Sequence, residues 1–281
     1  MTKPLRIAAQ IQPGGAADYR SWRSAVLRAE EIGADVIFGW DHFHKPAVEG
    51  IVDHRPVLPP DQPDVNNFEG WTALASWGEI TARAEIGLLV TGIGFRNPDL
   101  LADMARTVDH ISGGRLILGL GSGWYEKDYT TYGYDYGTTT SRLDLFDAGV
   151  ERIERRLAQL VPPPVRHIPI LIGGAGEKRS LPAVARHADI WHSFPFPIDV
   201  YRRKSKLLDD LAAAAGRDGA DIERSVAATP PFSSGFDRRS ADEFVAAGVT
   251  LFTVEIAPGD GDGSYDLSEL AQVVSWRDTL R

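Results

Sequence analysis

The chain has 281 residues, 43% hydrophobic and 25% charged, with a formal net charge of −9 and no cysteine. This balance suits a soluble globular fold with a large core and excludes disulfides, thiolate nucleophiles, iron–sulfur clusters and cysteine-type zinc sites. The acidic charge argues against general nucleic-acid binding, which needs a basic surface.

No apolar run approaches the roughly 20 residues that span a bilayer. Residues 1–5 lead straight into a strand-like run with no signal-type apolar segment, so a cytoplasmic protein without membrane association is expected. Short apolar or β-branched runs then alternate with longer amphipathic segments. Residues 6–12 read as the first strand. Asp18 caps a helix reaching about Glu31, with Trp22, Val26, Leu27 and Ile32 near helical spacing and Gly33 as its stop. Further strands are expected at 35–40, 85–91, 116–121, 168–172, 189–194, about 225–229 and 249–256. Their helices are expected near 69–81, 98–111, 138–160, 176–187, 197–215, 239–247 and 266–280. Eight strand-then-helix units with parallel-type strands predict a single α/β domain over 1–281, a (β/α)8 TIM barrel. A doubly wound sheet is the alternative, because the same alternation serves both. Residues 41–68, rich in Pro, Asp and His, form an unusually long loop after the second strand. In a barrel it lies on the C-terminal face, where active sites are built.

Four stretches past strand ends carry possible chemistry. In Trp40-Asp41-His42-Phe43-His44, a histidine beside a carboxylate suits proton transfer, because imidazole titrates near neutral pH. Asp41, His42 and His44, with His54, form a candidate metal set; solvated histidines with Asp41 capping the loop are the plainer reading. In the stretch 89–98, running Leu89-Val90-Thr91-Gly92-Ile93-Gly94 and ending at Pro98, the glycines permit close approach to a flat ligand or simply a tight turn. In Gly119-Leu120-Gly121-Ser122-Gly123-Trp124-Tyr125, alternate glycines open space at the mouth, and the two aromatics either wall a ligand or pack in the core. Position 124 is Trp, so this is no dinucleotide fingerprint. The turn Gly173-Gly174-Ala175-Gly176-Glu177-Lys178-Arg179 precedes a helix and offers backbone N–H groups and cations to an anion; a phosphate is favoured over a plain turn.

Together with Ile111–Gly121, Gly123-Trp124-Tyr125-Glu126 and Tyr129, these stretches resemble, in order and spacing over about residues 5–195, the luciferase-like oxidoreductase superfamily. The likeness is greater to its branch that uses coenzyme F420. The resemblance implies a barrel holding a deazaflavin ring at its strand C-termini. It implies that His42, the candidate acid/base, lies by the reactive edge, with Asp41 fixing the loop. It also implies a non-prolyl cis peptide at Leu89–Val90 behind the ring, with Thr91, Gly121, Ser122, Gly123 and Trp124 also at the cofactor. Gly173, Gly174, Ala175, Gly176, Glu177 and Lys178 match the family's phosphate site. F420 is the expected cofactor, with FMN, as in a luciferase-like monooxygenase, as the alternative. A metal-dependent barrel hydrolase and a cofactor binder without turnover are the further rivals. Relatives acting on sugar phosphates carry a Trp and a Glu where Pro46 and Gln10 or Gln12 stand, so that substrate class is not expected. A small organic substrate is expected, bordered by Trp40, Phe43 and Trp124. Relatives often dimerise, so a homodimer is expected, with Trp22, Trp71 and Trp77 serving an interface or the core.

Overall fold

The computed structural model describes residues 3–52, 55–61, 63–194, 196–229 and 235–280. His54 lies outside them. In chain order the strands are β1 (Arg6–Ile11), β2 (Val36–Gly39), β3 (Gly50–Val52), β4 (Arg55–Val57), β5 (Glu85–Leu88), β6 (Thr91–Gly92), β7 (Leu116–Gly121), β8 (Ile170–Gly173), β9 (Ile190–Ser193), β10 (Glu223–Ala227) and β11 (Val249–Ile256). The helices are α1 (Tyr19–Ile32), α2 (Gly70–Ile80), α3 (Pro98–Ser112), α4 (Glu126–Thr130), α5 (Thr139–Leu157), α6 (Ser180–His187), α7 (Ile198–Ala214), α8 (Arg238–Ala246) and α9 (Ser268–Asp278).

The sheet runs β5-β2-β1-β11-β10-β9-β8-β7-β6, and a further pairing of β5 with β7 closes it. All these pairings are parallel. β6 continues the stave of β5 and pairs with the end of β7. The result is a (β/α)8 barrel, as the alternation predicts.

Strand alternation sorts side chains into two sets. Ile7, Ala9 and Ile11 of β1 belong to the large cluster under the helices. Ala8, Val36, Phe38, Ile117, Leu171, Ile190 and Leu251 fill the barrel interior. Below them Arg6 bridges Glu85 and Glu223 and plugs the lower end. The same parity sends Gln10, His192 and Glu255 inward at the upper end, where they line a cleft. The fold thus determines which strand residues reach the mouth.

Local chemistry sets the helix ends. Asp18 and Ser21 form a capping box for α1, and Gly33 ends it at φ 113°. Asn97 caps α3, Pro98 opens it, and Gly113 closes it at φ 66°. Trp22, Trp71 and Trp77 are all buried, and Trp22 meets Trp77 edge-on at 5.0 Å. These tryptophans belong to the core and are not surface available to a second subunit.

Three expectations need correction. The long loop contains an antiparallel hairpin, β3 with β4, whose three-residue strands are too short to show a period of two. The helix expected from 138 is preceded by a separate turn of helix, α4. The helix expected from 176 begins at Ser180, because the preceding glycine turn is not helical and Gly174 has φ 118°.

Candidate active site

A cleft of about 300 Å³ opens at the C-terminal ends of the strands. Asp41 and His42 reach it from the loop after β2, Leu89 and Val90 from the end of β5, and Gly121, Ser122, Gly123 and Trp124 from the end of β7. Gly173 and Gly174 border it from β8, and Gln10, Phe95, His192, Phe194 and Glu255 also line it.

His42 is held by a residue that the sequence patterns do not single out. Asp128, fully buried on α4, accepts from His42 Nδ1 at 2.6 Å and from His44 Nδ1 at 2.9 Å. It also accepts the backbone N–H groups of Phe43 and His44 at 3.1 and 3.0 Å. An ionised carboxylate only accepts, so both imidazoles carry their proton on Nδ1 and His42 keeps Nε2 for other use. Trp40, Trp124 and Tyr125 stand edge-on to the His42 ring at 5.6, 5.6 and 5.9 Å. The Asn67 side-chain amide donates to the His42 carbonyl at 2.8 Å. Asp128 is therefore the carboxylate that orients His42.

Asp41 makes no hydrogen bond to the Asp128 cluster among the described residues and is engaged by arginine. Both its oxygens are engaged by the Arg96 guanidinium, at 2.6 and 2.9 Å, and Arg96 also reaches Glu69 at 2.6 Å. Glu69 in turn caps α2 through the Trp71 and Thr72 amides. Burial pushes the Asp41 carboxyl up to about 6, against the pull of Arg96. The fork ties the start of the loop to the segment ahead of α3. Among the described residues no group of three His, Asp or Glu is arranged to hold a metal ion. Asp41 faces arginine while His42 and His44 face Asp128, so these three members of the metal set do not converge; the fourth, His54, lies outside the described residues.

The peptide bond between Leu89 and Val90 is cis. Gln10 donates to the Leu89 carbonyl at 2.6 Å and fixes this bulge. Of the two glutamines at the end of β1, it is Gln10 that lines the cleft. The neighbouring glycines are explained by the same bulge. A Cβ on Gly121 would sit 2.6 Å from the Val90 side chain, and one on Gly119 would strike the Leu88 carbonyl oxygen. A Cβ on Gly123 would strike the Tyr129 hydroxyl, and one on Gly92 the Phe95 ring. These glycines make room first for Val90 and for aromatic packing, and only secondarily for a ligand.

The remaining expected residues divide. Thr91 is buried with its hydroxyl accepting from Trp71 Nε1 at 3.1 Å, so its side chain faces α2 rather than the cleft. Phe43 packs on Phe95 and Tyr132. Gly173 and Gly174 border the cleft, whereas Gly176, Glu177 and Lys178 are exposed on the rim and Ala175 is half-buried. Arg179 precedes α6 instead of lying in its first turn, and it pairs with Asp144 and Asp147 of α5. Its position is thus explained by those acids without a bound anion. Arg203 and Lys204 hold Glu177 and pull its carboxyl down to about 2. Lys178 has no ion-pair partner among the described residues.

His192 is also unanticipated. Its Nδ1 lies 2.9 Å from Ser225 Oγ, and burial lowers its basicity to about 4, which keeps the ring neutral.

The class that fold and site define is a closed parallel (β/α)8 barrel with a histidine–carboxylate pair beside a strand-end cleft. Comparison with known proteins gives its family. The luciferase-like monooxygenase family matches residues 4–249, and the chain belongs to it. Among curated relatives, an uncharacterized protein of Mycobacterium tuberculosis is 30% identical over 213 residues, 70% of this chain and 75% of its own. The phthiodiolone/phenolphthiodiolone dimycocerosates ketoreductase of the same species is 27% identical over 263 residues, 85% of this chain and 67% of its own. Among solved structures, an F420-dependent secondary alcohol dehydrogenase in complex with an F420–acetone adduct superposes with a TM-score of 0.78 at 15% identity, covering 99% and 100% of the two chains. The FMN complex of the oxygenating constituent of 3,6-diketocamphane monooxygenase from Pseudomonas putida gives 0.61 at 15% identity, covering 80% and 67%. The fold is common to both kinds of neighbour, and these enzymes are oxidoreductases.

Proposed function

We propose that this chain is an F420-dependent oxidoreductase that moves a hydride to or from the carbonyl carbon of an apolar substrate. The observation that carries the reading is His42, fixed by Asp128 with Nε2 unengaged among the described residues, beside a cleft walled by backbone at Gly121–Gly123 and Gly173–Gly174. A stretch of wall made of backbone and small residues fits the face of a flat tricyclic ring. Val90 offers an apolar platform at the cis-peptide bulge. A bound deazaflavin supplies the carbon that gives or takes the hydride.

The chain's own residues do the rest. His42 Nε2 takes or returns the proton on the substrate oxygen, while Asp128 keeps Nδ1 protonated and the ring in place. Arg96 and Asp41 hold the loop that carries His42. The glycine turn at 173–178, with exposed Lys178, is where the phosphate-bearing tail is held. Trp124 and Phe194, both exposed at the mouth, border an apolar substrate.

End-to-end similarity to the F420-dependent alcohol dehydrogenase, and similarity to a ketoreductase, support both the cofactor and the carbonyl chemistry. FMN-dependent monooxygenation is the second reading, favoured by the family match and the FMN-bound neighbour. The test is His42→Ala assayed with F420 and a series of secondary alcohols and ketones. Hydride transfer should fall by at least 100-fold, with F420 affinity changed by less than threefold. An equal loss of both would overturn the acid/base role. Gel filtration with light scattering tests the homodimer, which this reading includes.

A further inference from the structure

The inward carboxyls of this barrel are treated in two ways. At the lower end Glu85 and Glu223 are each gripped by arginine, Glu85 by Arg6 and Arg166 and Glu223 by Arg6. At the upper end Glu255 projects from β11 into the cleft and has no hydrogen-bond or ion-pair partner among the described residues. Its place is fixed by strand parity. Phe252, Val254 and Ile256 lie in the helix-facing core and Leu251 in the barrel interior, so Glu255 points inward beside its register partner Gln10. Gln10 is committed to the Leu89 carbonyl and does not neutralise it. Thr253, on the same face, has a buried hydroxyl with no partner among the described residues.

We infer that Glu255 is a specificity-determining residue, which selects substrates presenting a hydrogen-bond donor, a hydroxyl or a protonated amine, beside an apolar body and rejects carboxylates. Glu255 is exposed to the cleft, so its carboxyl oxygens are open to a donor on the ligand, and a charge-assisted hydrogen bond there is stronger than one between neutral groups. A ligand carboxylate instead meets a like charge at close range. The walls around Glu255 raise its carboxyl above the usual glutamate range, which accords with an environment that lacks a compensating cation. Trp124, Phe95 and Phe194 supply the apolar side of the same cleft. The neutral ring of His192 adds no positive charge.

This inference takes the cleft to be the substrate site of the proposed oxidoreductase, but its test needs no turnover. Benzyl alcohol, benzylamine and benzoate are titrated at pH 8 into the full chain and into Glu255→Gln and Glu255→Leu, and binding is read from the His42 imidazole resonance. The wild type should bind the alcohol or the amine at least tenfold more tightly than benzoate. A preference for the amine that is lost in both variants assigns an ammonium. A preference for the alcohol that survives in Glu255→Gln and is lost in Glu255→Leu assigns a hydroxyl. Equal binding of benzoate, an unchanged preference in Glu255→Leu, or no binding of any probe would overturn the inference. A parallel titration of the wild type with F420 separates the two claims. Failure there counts against the proposed function and leaves the probe discrimination standing.

Discussion

Replacing Asp128 by asparagine preserves the side-chain size and removes the charge that orders the His42 loop. Oδ1 accepts from the Phe43 and His44 amides and from His44 Nδ1, so the asparagine carbonyl must occupy that position. Its NH2 group then faces His42 Nδ1 across a contact that is 2.6 Å in the native protein. Two donors cannot share that contact, so His42 must give up the Nδ1 proton and carry it on Nε2. Hydrogen bonds to a charged partner contribute roughly 1.5–3 kcal/mol each. The His42 bond is lost as a charged interaction and the others weaken. A loss of about 3 kcal/mol is therefore expected, read from urea midpoints at unchanged slope. Nitrogen-15 spectra of labelled histidine should show His42 as the Nδ1–H form in the wild type and the Nε2–H form in the variant. A variant of native stability with His42 still protonated on Nδ1 would refute the orienting role of Asp128.

Three further outcomes follow from the same contacts. Arg96→Met leaves Asp41 buried without its cation and should cost roughly 3–5 kcal/mol; adding Asp41→Asn should recover part of that in a urea titration. His192 has its basicity lowered by burial from 6.5 to about 4, so below pH 6.5 the unfolded chain binds a proton that the native ring refuses. Its contribution to stability is complete above pH 6.5 and is lost as pH falls toward 4, about 3 kcal/mol in all. The gap between wild type and His192→Asn should therefore narrow by that amount, and a gap that is constant with pH would contradict a buried neutral ring. Gly121→Ala drives a methyl group into Val90 and should cost about 1–3 kcal/mol in thermal or urea unfolding.

Much of the fold was legible because apolar runs and helix caps coincide: Asp18 with Gly33, and Asn97-Pro98 with Gly113, mark α1 and α3 almost to the residue. The strands of β7 and β11 were readable from their mostly apolar or β-branched runs. The hairpin of β3 and β4 was not, since three residues carry no period. At the site, His42, the Leu89–Val90 bulge and the glycine stretches stood out by motif. Asp128 did not, because it acts 86 positions away in the sequence, from a helix of five residues. Glu255 and His192 are the ionisable residues of otherwise uncharged strands, and only strand parity in a closed barrel reveals that they face the cleft. One signal was available: a lone Glu inside the apolar run 249–256 has no place on the helix-facing side.

The account rests on a deazaflavin held in the strand-end cleft. Purified chain, freed of ligand, should be titrated separately with F420 and with FMN, following tryptophan fluorescence and cofactor absorbance. One F420 per chain, with FMN at least tenfold weaker, is the result expected from the proposed function. Tighter binding of FMN, or saturation by neither, would contradict it.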